Sequence, residues 1–162
     1  MAMRPTVYLD TTIPSYYVDE REALRVHIER TRARWNEEAR QYEVFTSPLV
    51  IRELEEGEFP GRTSALELLR DVPLLSPVPR IAEIVEEYLA NHLMPRRDGR
   101  DAFHLAFASH YKMDYLLTWN CAHLANVNKR KHIAQVNQRL GLFVPVLITP
   151  LELVPDSGEE DL

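Results

Sequence analysis

Apolar positions in this chain come in two rhythms that alternate from the N-terminus to the C-terminus. Thr6-Val7-Tyr8-Leu9 is a short β-prone run ending on Asp10, after which Thr11-Thr12-Ile13-Pro14 turns into a helical region. Leu24, Ile28, Thr31, Trp35 and Ala39 recur at helical spacing in a charged background, predicting an amphipathic helix over Glu20–Arg40. Val44-Phe45-Thr46 reads as a second strand. Ser47 as the capping residue with Pro48 in the first turn then opens a helix that carries Val50, Ile51 and Leu54 and stops near Gly57. Thr63–Arg70 is a further helix and Pro73-Leu74-Leu75-Ser76 a short third strand. Ile81–Asn91 is helical, with Ile81, Ile84, Val85, Tyr88 and Leu89 on one face. Asp101–Tyr111 is a mostly apolar helix that should be largely buried, and Asp114–Thr118 is the fourth strand. A helix over Asn128–Leu140 stops at Gly141, and Val146–Thr149 is the last strand.

Short apolar strands alternating with helices predict a three-layer α/β/α domain with a mostly parallel, roughly five-stranded sheet. At 162 residues, 45% of them hydrophobic, the chain can bury one core without disulfides or a structural metal. A single domain over 4–154 is expected. The end of the chain, 155–162, holds four acidic residues and little that packs, which predicts a disordered tail. The N-terminus has no secretory signal, no stretch is apolar enough to span a membrane, and Cys121 is the only cysteine. A cytoplasmic protein that does not engage membranes is expected. The net charge of −6 argues against gripping nucleic acid through overall charge, leaving the local field at a site to decide.

In an open parallel sheet, ligands bind beyond the carboxyl ends of the strands, where strand order reverses. Asp10 ends the first strand, Glu53 lies one to two turns into the helix after the second, Asp101 opens the buried helix, and Asn120 follows the fourth strand. Each has an ordinary structural explanation. Asp10 could shape a turn, Asp101 could be a first-turn acid, and Glu53, beside Glu55, Glu56 and Glu58, could be solvated surface. Taken together they say more, because carboxylates crowded into one pocket resist ionising without a cation. An all-oxygen set suits Mg²⁺ or Mn²⁺, which can activate water for attack on phosphorus.

At these residues the sequence resembles the PIN domains, including the VapC toxins of toxin–antitoxin pairs. Val7-Tyr8-Leu9-Asp10-Thr11-Thr12 is similar to the opening strand with its first acid. Ser47–Leu54 is similar to the helix with the second acid, and Asp101–Ala106 with Asp114–Asn120 is similar to the third acid's helix and the fourth strand. The resemblance implies that Asp10, Glu53 and Asp101 bind one or two Mg²⁺ or Mn²⁺ ions, that Asn120 completes the catalytic set, and that Thr12 and Thr118 support the pocket. It also implies a metal-dependent endoribonuclease, with RNA as substrate, an antitoxin as protein partner and a homodimer as assembly. The fourth position is often Asp in that family. Asn120 can still coordinate through its carbonyl oxygen but adds no charge. A non-catalytic PIN-like module that binds RNA or protein is the alternative. Phosphatases with an aspartyl nucleophile fit less well, since they want a second Asp where Thr12 stands.

Arg96, Arg97 and Arg100 precede Asp101 and are expected to meet the phosphate backbone at the pocket mouth. Lys129-Arg130-Lys131-His132 is a second basic run at a helix start, read as surface. His104 and His123 are read as core or capping residues, not catalytic ones.

Overall fold

The computed structural model describes residues 4–153. Val154 and the acidic tail expected at 155–162 lie outside the described residues. Strands β1 (Thr6–Leu9), β2 (Glu43–Phe45), β3 (Tyr115–Leu117) and β4 (Val146–Ile148) form one parallel sheet in the order β2-β1-β3-β4. Val7, Tyr8 and Leu9 are fully buried on both faces of the central strand, which is why the run lacks polar alternation. Tyr8 lies beside Phe45 on β2 and Leu116 on β3, fixing the register on either side.

Helices flank the sheet, giving the three-layer α/β fold expected: α1 (Thr12–Val18), α2 (Arg25–Gln41), α3 (Pro48–Glu56), α4 (Arg62–Leu68), α5 (Pro79–Ala90), α6 (Gly99–His110) and α7 (Val127–Arg139). None of the described helices is long and apolar enough to cross a membrane. The apolar positions of α5 and α6 are buried together, and Tyr8 points at α6, its ring stacked 6.2 Å from that of Phe107. Beneath them Tyr88 donates to Asn137 Oδ1 at 2.7 Å, while Asn137 Nδ2 donates to Ser109 Oγ at 2.9 Å. The buried polar groups of three helices are thereby satisfied within one triad.

Three local expectations change. The strand read at Pro73–Ser76 is a single bridge, Leu74 against Thr46, so the sheet has four strands and not five. Pro73 has no N–H to give, and Pro77 and Pro79 follow closely, so pairing cannot propagate. The long helix begins at Arg25, after a 3-10 turn over Glu22–Leu24, and not at Glu20. Its inward face is occupied within the chain: Ile28 and Thr31 are buried, and Trp119 Nε1 donates to Thr31 Oγ1 at 2.8 Å. Ser47 stands at the N-cap of α3, but its hydroxyl bonds Tyr8 and not the helix.

The basic run at 129–132 is largely structural. Lys129 donates to the Leu93 carbonyl, and Arg130 donates to the Leu147 carbonyl at 2.7 Å and grips both oxygens of Glu152. The helix they open ends at Gly141, whose φ of +69° suits glycine.

At Gly61 helix α4 meets α1 with no room for a side chain. A Cβ there would lie 2.5 Å from Val18 Cγ2 and 3.0 Å from its Cβ, on a short β-branched side chain that cannot swing away. Gly61→Ala is therefore expected to lower stability by about 1–3 kcal/mol. Urea denaturation beside the parent protein measures it, and an unchanged midpoint would mean that the α1–α4 contact yields freely.

Candidate active site

Strand order reverses between β1 and β3, and the carboxyl ends of these two strands carry the first site residues. Asp10 follows Leu9, its backbone N–H donating to the Leu117 carbonyl at 3.3 Å. Its carboxylate, 2% exposed, is clamped from both sides. Oδ1 accepts from the backbone N–H of Thr12 at 3.0 Å and from the Thr12 hydroxyl, and Oδ2 accepts from the Thr118 hydroxyl. The two threonines are themselves oriented, Thr12 Oγ1 accepting from Trp119 N–H and Thr118 Oγ1 from Asn120 N–H, both at 2.9 Å. Thr12 and Thr118 thus each bond one oxygen of the first acid.

Asp101, in the first turn of α6, reaches the same edge. Asn120 Nδ2 donates to its Oδ2 at 2.9 Å. The Asn120 carbonyl oxygen accepts the backbone N–H of His123 at 3.1 Å, which fixes the amide's orientation. The Asn120 carbonyl oxygen thus bonds the turn, and its amide nitrogen faces the acid.

Glu53 departs most from its bland sequence reading. Its side chain is 11% exposed, with Oε2 accepting from the Thr11 hydroxyl at 2.7 Å and Oε1 lying 2.9 Å from His104 Nε2. His104, set aside from the sequence as a core histidine, is indeed buried, yet it sits among the acids. Its signal was present in the chain: it is the lone polar residue in the run Ala102–Ala108.

The charges push against one another. Burial, and then the neighbouring Asp10, raise the Asp101 carboxyl to about 6, with His104, His123 and the Asn120 amide pulling back. Burial also raises Asp10 above its ordinary value, although His104 and the two threonine hydroxyls favour its ionised form. Burial opposes ionisation of Glu53 too, but the hydrogen bond and charge of His104, helped by Thr11 and Arg100, hold it below its ordinary value. Burial disfavours the His104 cation, yet Glu53, Asp10 and Asp101 outweigh it and raise the imidazole.

Among the described residues, no three His, Cys, Asp or Glu side chains stand as a ready-made metal cluster. The donor set nonetheless fits a hard cation. Each carboxylate oxygen can accept about two hydrogen bonds. Among the described residues, Asp10 Oδ2 and both Glu53 oxygens accept one bond apiece, while Asp101 accepts through Oδ2. Lone pairs not used by these bonds therefore remain on all three acids, and the charge of Asp10 raises the Asp101 carboxyl.

The arginines divide. Arg100, 63% exposed, lies 3.3 Å from Glu56 and close enough to lower Glu53. Arg96 leans toward Glu86 of α5 at 3.9 Å, and Arg97 is exposed.

No curated protein matches the chain significantly. The crystal structure of VapBC2 from Rickettsia felis, bound to a DNA fragment from their promoter, superposes with a TM-score of 0.57. Identity is 14%, and the match covers 89% of this chain and 98% of that one, a likeness of fold. The sequence profile of the PIN domain matches residues 7–120, from β1 through Asn120, and so takes in Asp10, Glu53 and Asp101. The chain belongs to the PIN domain family.

Proposed function

We propose that this protein is a Mg²⁺- or Mn²⁺-dependent endoribonuclease and the toxin of a toxin–antitoxin pair. The observation that carries the reading is the joining of Asp10 to Asp101 at the strand-order reversal through Thr118 and Asn120, with oxygen lone pairs left open. Asp10 and Asp101 would hold the ion with Glu53 as third carboxylate; the ion supplies water activation and neutralises charge on the phosphate. Thr12 and Thr118 keep Asp10 aimed, and Asn120 holds Asp101 through its amide while adding no charge of its own. Arg100, with Arg96 and Arg97, would meet RNA phosphates. Its exposed pair with Glu56 costs little to open. Fold likeness to the VapBC2 structure supports an antitoxin partner. A homodimer is the assembly proposed, formed through a surface other than the inward face of α2.

A second reading is a PIN-like module that binds RNA or protein without cutting. It is favoured by the lack, among the described residues, of a ready-made three-ligand cluster and by the neutral Asn120. Cleavage of a mixed pool of structured and single-stranded RNAs, with Mg²⁺, with Mn²⁺ and with chelator, separates the two. Metal-dependent cutting that vanishes in Asp10→Asn is expected. Folded wild-type protein that retains RNA but cuts none of the pool under either metal would favour the binding module.

A further inference from the structure

A chain of side-chain hydrogen bonds runs through the core behind the acids. Ser47 Oγ lies 2.8 Å from Tyr8 OH, Tyr8 OH 2.7 Å from His104 Nδ1, and His104 Nε2 2.9 Å from Glu53 Oε1. Ser47, Tyr8 and His104 are each 2% exposed or less, so water cannot replace any partner. A buried histidine can be satisfied by backbone carbonyls alone. Here both ring nitrogens are bonded to side chains, and the chain ends on a carboxylate at the site.

Its direction follows from chemistry. An ionised carboxylate only accepts, so Nε2 donates to Glu53. In the neutral ring Nδ1 is then an acceptor, which makes Tyr8 the donor to His104 and the acceptor from Ser47. In the imidazolium the Tyr8 and Ser47 bonds reverse, but Nε2–H still faces Glu53. Thr11 holds the other carboxylate oxygen, so Glu53 is gripped at both ends of its carboxylate.

We propose that His104 is a positioning residue that fixes the Glu53 carboxylate for cation binding, with Tyr8 and Ser47 holding the ring behind it. The inference rests on the metal-dependent reading of the site. Groups that orient a metal's ligands cost about 10–100-fold in metal affinity or activity when removed. The charges of Glu53, Asp10 and Asp101 all favour the protonated ring.

Two amide substitutions separate positioning from packing. Gln puts its amide nitrogen near the place of Nε2 and can still donate to Glu53. Asn reaches only to the place of Nδ1. Mn²⁺ titrated calorimetrically into the full chain, without RNA, reads the difference. His104→Asn is expected to weaken Mn²⁺ binding about 10–100-fold, while His104→Gln stays within a few-fold of wild type. Cleavage by His104→Asn should recover toward the wild-type rate once Mn²⁺ is saturating. Should His104→Asn fail to fold by circular dichroism, Tyr8→Phe, which frees the ring without touching Glu53, carries the test through a several-fold loss of affinity. Equal Mn²⁺ affinity in the folded Asn and Gln variants, or an unaltered affinity in Tyr8→Phe where Asn does not fold, overturns the proposal. Wild type that binds no Mn²⁺, or binds it undiminished in Asp10→Asn, removes the metal reading itself and this inference with it.

Discussion

Asp101→Asn is expected to make the metal-free protein more stable and to erase the metal-dependent cleavage proposed for it. The Asp101 carboxyl is raised to about 6 by burial and by Asp10, so at neutral pH its charge works against the fold. An asparagine there removes that charge, and its carbonyl oxygen can still accept the Asn120 amide, so that donor keeps its partner. The gain is on the order of 1 kcal/mol once the solvent still reaching the group is discounted. That is roughly a 2–4 °C rise in melting temperature for a domain of this size. Activity should fall by more than about 100-fold, since even residues behind metal ligands cost about 10–100-fold. Asp10→Asn should move stability the other way. Both Asp10 oxygens accept bonds from donors, and an amide nitrogen in place of either meets a hydroxyl or N–H already pointing at it. Paired thermal melts at pH 7 in chelator give the comparison. Asp101→Asn melting below the parent would mean that the repulsion at the site is already relieved in the metal-free protein.

The second large effect is the dependence of metal-free stability on pH, which should run downhill from mildly acidic to mildly alkaline conditions. Asp101 binds its proton more tightly when folded, so the benefit of protonation is lost as pH rises from about 4 to about 6. Asp10 acts in the same sense. His104 is likewise raised, so the stability from its charged form is complete below its ordinary value of 6.5 and lost as pH climbs through the higher folded value. Glu53 opposes them: its lowered value stabilises the fold above its ordinary 4.5 and is lost on acidification below it. The sum is greatest stability near pH 5 and a decline toward pH 8. A divalent ion binds the deprotonated acids, so Mn²⁺ should flatten the decline, with its largest effect at the alkaline end. Urea midpoints at pH 5, 6, 7 and 8, with Mn²⁺ and with chelator, test this. A metal-free midpoint higher at pH 8 than at pH 5 would contradict it.

Much of this site was legible in the sequence because its parts obey local rules. Asp10 ends an unbroken apolar strand, and Asp101 opens an apolar helix where few acids belong. Glu53 looked like surface because of its acidic neighbours, yet Val50, Glu53, Leu54 and Gly57 share one helical face, and that face packs inward. Partnership was not legible. Whether Ser47 bonds its own helix or Tyr8 depends on which strand lies beside it, and whether His104 is core or site depends on Glu53, 51 residues away. Lys129 and Arg130 read as a charged surface because the carbonyls they cap belong to distant segments. The strand at Pro73–Ser76 failed on local chemistry that was visible: prolines bracket it.

The bond from Thr118 to Asp10 joins residues 108 positions apart. The first acid is therefore complete only when β3 has docked beside β1, and Asn120 arrives with the same strand end. On a ribosome, a nascent chain that has exposed Asp10, Glu53 and Asp101 but not yet Thr118 owns every carboxylate and no organised site. A nuclease built this way would stay unassembled during its own translation until residues 115–120 had emerged and docked.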